Sequence, residues 1–94
     1  MKVKFKEWNC IAVKAEYMNG RAALELVEDG TGESILMATV NVPEIHLLEG
    51  EVLIKDYSEN KGVLLALQNA GVIGEALQEI PLNFVTIQRC KLLI

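Results

Sequence analysis

The stretch "KDYSENKGVLLALQNAGV", residues 55–72, decides the fold class, because the rest of the chain is patterned for strands. It starts at the end of a strand, passes through cap and turn residues, and finishes in leucines at helical spacing. Asp56 and Ser58 are both N-cap types, and Asp56 with Glu59 has the separation of a capping box. Glu59 also suits the positive end of a helix. Val63, Leu64, Leu67 and Ala70 share one helical face, so a helix is predicted to about Ala70. Gly71 stands where a left-handed C-terminal cap belongs.

Upstream, Lys2, Lys4 and Lys6 alternate with Val3 and Phe5, the pattern of a basic edge strand that deters edge-to-edge pairing. In "WNCIAVKAEYM" (8–18) Ile11, Val13, Ala15 and Tyr17 fall on one face and Cys10, Ala12, Lys14 and Glu16 on the other. The "NG" at 19–20 then predicts a tight type I′ hairpin into "RAALELVE" (21–28). "DGTG" (29–32) turns the chain again into "SILMATVNV" (34–42), which Pro43 ends by removing a donor. Residues 43–50 read as a connection and "EVLIKD" (51–56) as another strand. Beyond the helix, 72–83 read as irregular with a turn within "GEALQEIP", before a last strand "FVTIQRCKLLI" (84–94). The expected architecture is a single α+β domain over 1–94. It has one antiparallel-dominated sheet in the order β-β-β-β-α-β, with one helix packed on a face.

Hydrophobic residues make up 51% of the 94 and charged ones 23%, which is globular rather than disordered composition. With two Phe, two Tyr and one Trp, the core has to be aliphatic. A domain this short is marginal by itself, and the apolar end Leu92, Leu93, Ile94 adds surface to cover, so a homo-oligomer is expected. The net charge of −4 offers no electrostatic basis for binding a nucleic-acid backbone. Two cysteines with no apolar leader point to reduced thiols in a cytoplasmic protein. No apolar run is long enough to span a membrane.

No constellation in the chain carries chemistry. "DGTGES" (29–34) lacks the third glycine and the following helix that a phosphate cradle needs. Glu44, His46, Glu49 and Glu51 include the chain's one histidine and no soft ligand at metal spacing. Cys10 has only His46 as a conceivable base. Cys90, between Arg89 and Lys91, would have a depressed pKa if exposed, yet both cysteines sit in strand patterns as small hydrophobes. A non-enzyme without cofactor or metal is therefore expected. Two surfaces remain. Glu44, Glu49, Glu51, Asp56 and Glu59 face a single Lys55 and would suit a basic partner. The corner at Tyr57, Ser58, Asn60 and Lys61, with Arg21 and Arg89, would suit a small anionic ligand; Lys14 and Lys91 could add charge.

The corner also carries a resemblance. Asp56, Tyr57, Ser58, Glu59 and Asn60, then Gly62, Leu64, Leu67, Ala70, Gly71 and Val72, with "NFVTIQRCKL" as a closing strand, resemble a family of small uncharacterised proteins encoded by bacteriophages and mobile elements. The likeness covers about the last 40 residues, and "GEALQEIP" departs from the proline or glycine turn of that pattern. The resemblance implies a setting: an accessory protein in the host cytoplasm, counteracting bacterial immunity. It would bind a host defence protein or sequester a nucleotide signal. The alternative is a phage structural or assembly protein with no ligand.

Overall fold

The computed structural model describes residues 1–94. The fold comprises seven strands and one α-helix: β1 (Lys2–Phe5), β2 (Trp8–Glu16), β3 (Ala22–Glu28), β4 (Ser34–Met37), β5 (Glu51–Lys55), β6 (Ile73–Leu82) and β7 (Val85–Leu92), with α1 (Val63–Asn69) between β5 and β6. The α+β class holds, and every strand pairing is antiparallel. The single sheet in the order β-β-β-β-α-β is corrected: five strands precede the helix and two follow it, and they divide into two sheets, β1-β2-β3-β4 and β5-β7-β6. The chain just after β4 joins them: Lys55 N donates to Ala38 O (2.8 Å) and Val40 N to Leu53 O (3.1 Å).

Cys10 and Ala12 from β2, Leu24 and Leu26 from β3, and Leu36 from β4 point inward. They meet Val52, Ile54 and Cys90 of the second sheet, and Val63 and Leu67 of α1, in one buried cluster. Each buried Leu, Ile or Val among them contributes about 1.5–3 kcal/mol. The helix packs against β1, β5 and β6, so it lies against the first strand of one sheet and the last of the other. Leu53 and Ile87 are buried on the opposite face of the second sheet, the face that the 43–50 connection crosses.

Three local expectations are corrected. Residues 73–82 form a strand, not an irregular link. Two register shifts, between Ile73 and Ala76 and between Ala76 and Gln78, break its two-residue period, and the strand is exposed on both faces from Glu75 to Glu79. The turn at Asn19-Gly20 is not type I′. Gly20 alone takes a positive φ (87°). Gly20 N bonds to Tyr17 O and Tyr17 N to Arg21 O, giving the three-residue loop with a left-handed glycine.

The helix start is the third correction. A 3-10 turn at Ser58–Asn60 precedes α1, and Gly62 (φ 98°) occupies the N-cap position. Neither Asp56 nor Ser58 stands at that position, and the capping box does not form. At the other end the expectation holds. Gly71 (φ 76°) donates to Gln68 O and Val72 N donates to Leu67 O, the paired bonds of a Schellman cap.

Candidate functional site

The corner between β5 and α1 is built by its own side chains. Asp56 Oδ1 accepts from Gly62 N (2.9 Å) and Leu64 N (3.0 Å), so a carboxylate already occupies the amides that open the helix. Asn60, 1% exposed, donates from Nδ2 to Met37 O at 2.7 Å and ties the corner to β4. Tyr57 is half-buried, with Lys55 Nζ 5.5 Å from its ring centre. Ser58 and Lys61 are exposed, and Ser58 takes a positive φ of 55°. Glu59 is held below the usual carboxylate range, first by its own backbone amide and then by Lys55.

The two arginines are engaged elsewhere and do not join the corner. Arg21 donates to three carbonyl oxygens of the connection after β4, those of Val42 (2.9 Å), Pro43 (3.4 Å) and Ile45 (2.6 Å). It acts as a staple for that loop. Arg89 pairs through Nη1 with Glu51 Oε2 at 2.5 Å and through Nε with Gln78 Oε1 at 3.1 Å. The Glu51 side chain is 8% exposed. Its carboxyl lies below the ordinary range, because Leu48 N donates to it and the Arg89 guanidinium adds to that.

Of the five acidic residues proposed to meet a partner, Glu51 is thus inside an ion pair and Asp56 is a cap. Glu44, Glu49 and Glu59 are exposed. Glu44, His46, Glu49 and Glu51 do not converge into a group able to hold a metal. Both thiols are buried. Cys90, far from being activated by Arg89, is pushed up to about 11 by burial, with Arg89 opposing only in part. Burial, then Glu28, raises Cys10, with Lys4 opposing.

Two clefts lie near these groups. One of about 430 Å³ is bordered by Lys14, Glu16, Arg21, Glu49 and Glu51; its charges are mixed, and its arginine and one glutamate are already bonded. The other, about 480 Å³, lies beside Arg89 between His46, Leu48 and Ile80.

The feature that sequence reading missed is the β6–β7 hairpin. No residue from Gly74 to Thr86 is buried. Leu82 pairs with Val85, leaving Asn83 and Phe84 as a two-residue turn, and Asn83 takes φ 57°. Phe84 at the tip is completely exposed (104%), and Leu77 farther down β6 is exposed as well. The hairpin's signal was present as two apolar runs around "NF", but without a glycine to mark the turn.

No family model, curated protein or solved structure matches this chain. No helix is long and apolar enough to cross a membrane.

Proposed function

We propose that the chain is a non-enzymatic binding protein that acts stoichiometrically on a protein partner, with the tip of the β6–β7 hairpin as its principal contact. The observation that carries this reading is Phe84, fully exposed at the end of an arm with no buried residue. Aromatic side chains presented this way serve as anchors in a partner's pocket, because they bury much area at small entropic cost. The same arm carries Glu75 and Glu79 and no basic residue along β6. Together with the exposed Glu44, Glu49 and Glu59, this favours a partner with a basic surface. In the phage-type setting that the D-Y-S-E-N resemblance implies, that partner is a host defence protein in the cytoplasm. Sequestration of a nucleotide is the weaker reading, since both arginines are bonded internally and Asp56 fills the helix start.

The test compares the tagged protein with its Phe84→Ser variant, each passed over a bacterial lysate and then weighed by native mass spectrometry. The reading expects a protein that co-purifies with the wild type at fixed stoichiometry and is lost from Phe84→Ser, whose circular dichroism stays unchanged. A nucleotide-sized adduct retained equally by both would overturn it.

A further inference from the structure

Among the chain's asparagines only Asn19 precedes a glycine. That pair marks a reactive bond as well as a turn. A glycine nitrogen has no neighbouring side chain to obstruct it, so it can close on the side-chain carbonyl of the residue before it. Asn19 and Gly20 are both exposed at the tip of the β2–β3 hairpin, and nothing lies within 4 Å of the space a Gly20 side chain would take. Water and base therefore reach the reacting atoms.

The tip holds these atoms with three hydrogen bonds of opposing effect. Arg21 N donates to Asn19 Oδ1 (3.1 Å), which draws electron density from Cγ and favours attack there. Gly20 N, the attacking atom, donates to Tyr17 O (2.9 Å), so its proton is not free for a base to take. Asn19 Nδ2, the leaving group, is anchored on Asn41 Oδ1 (3.1 Å), which keeps the amide from turning toward Gly20. Both restraints are lost together when the tip opens, and a hairpin end opens at lower free energy than the sheet behind it.

We infer that Asn19 is a site of spontaneous deamidation, held back in the folded chain by Tyr17 O and Asn41. Base removes the Gly20 amide proton, Gly20 N bonds to Asn19 Cγ, and the Cγ–Nδ2 bond breaks to release ammonia. Water then opens the cyclic imide, at Cγ to give aspartate or at the Asn19 backbone carbonyl to give isoaspartate. Neither oxidant nor cofactor is required. The two products differ in what they leave of the tip. Aspartate keeps the loop, because the Asn41 amide can turn and donate to it. Isoaspartate adds a methylene to the backbone between residues 19 and 20, which displaces the Gly20–Tyr17 bond and the Arg21 that follows. Arg21 staples the connection after β4 through the carbonyls of Val42, Pro43 and Ile45. Isoaspartate at position 19 therefore unfastens the 43–50 connection from the hairpin tip.

Peptide mapping of the whole chain incubated in mildly alkaline buffer, with released ammonia assayed alongside, tests this. The folded wild type should gain the mass of an amide turned to an acid at Asn19 slowly, and the same chain in urea faster. Asn41→Ala should deamidate about two- to tenfold faster than the wild type while folded, the worth of one net hydrogen bond, with unchanged circular dichroism. Asn41→Asp, which keeps an acceptor for Nδ2, should stay near the wild-type rate. In urea the three chains should converge. No mass gain at Asn19 in urea would overturn the inference, as would a folded wild type that reacts as fast as Asn41→Ala. Should Asn41→Ala fail to fold, the ratio of folded to urea rates in the wild type still decides. Amide exchange across 43–50 should be faster in the isoaspartyl fraction than in the aspartyl one, and equal exchange would refute the unfastening.

Discussion

Asp56 Oδ1 lies 3.0 Å from the amide nitrogen of Leu64, so the residue just past strand β5 caps a helix that starts only at Val63. The same oxygen accepts from Gly62. Asp56→Ala should therefore destabilise the fold by about 1–2 kcal/mol, the range for a lost cap. Asp56→Asn, which keeps an acceptor oxygen, should lose less. Urea unfolding would register both as a lower midpoint at constant slope.

Gly62 separates two causes of strain. A methyl group added there would meet only Phe5 Cε1, at an ordinary 3.9 Å, yet φ is 98°. Gly62→Ala should lower stability by about 1–2 kcal/mol from backbone conformation alone. Trimming Phe5 should not rescue it. A rescue in thermal unfolding would show that the loss was steric.

The Arg89–Glu51 pair predicts a specific acid limb. Glu51 has its pKa depressed by the Leu48 amide and by Arg89. Its contribution is therefore fully present above its unfolded value, about 4.3, and is lost as pH falls through the lower folded value. Arg89→Met strands a carboxylate that is 8% exposed. It should destabilise the protein by about 2–4 kcal/mol near neutrality and by less in acid, where Glu51 is protonated. Unfolding free energies across the acid range should converge toward the wild type's.

Cys90 sets the alkaline limb. Its folded pKa is raised to about 11 from 9.0, so the stability present below 9 is lost as pH rises toward 11, by about 3 kcal/mol. Cys90→Ala should start less stable, through its cavity, but lose less between those pH values. Cys10 leaves a residual slope. Alkylation at mild pH should be far slower in the native protein than in urea.

The hairpin Trp8–Glu28 was legible because its alternation and Asn-Gly signal are local. The type of turn was not, since Asn19 spends its side chain on Arg21 N and Asn41 and leaves only Gly20 left-handed. The end of α1 was legible because Gly71 and Val72 close it with their own amides. Its start was not, because a 3-10 turn intervenes and Asp56 reaches across it. Strand β6 was lost for a related reason: two bulges hide the period of an edge strand that buries little beyond Ile73. The roles of Arg21 and Arg89 depend on partners 11 to 38 positions away. No spacing rule encodes those partners, so two cations that look available in sequence are bound internally in the fold.

The placement of α1 against both β1 and β6 bears on how the chain folds. Seven residues are too few for a helix to persist alone in water. Its apolar face finds cover only once β1, from the start of the chain, comes back against it, an encounter that closes a long loop. The helix is therefore a late event that waits on both sheets and then locks them. Neither sheet has a complete core without it, so the domain should unfold in a single step, with α1 giving up its amide protons no sooner than the strands it joins.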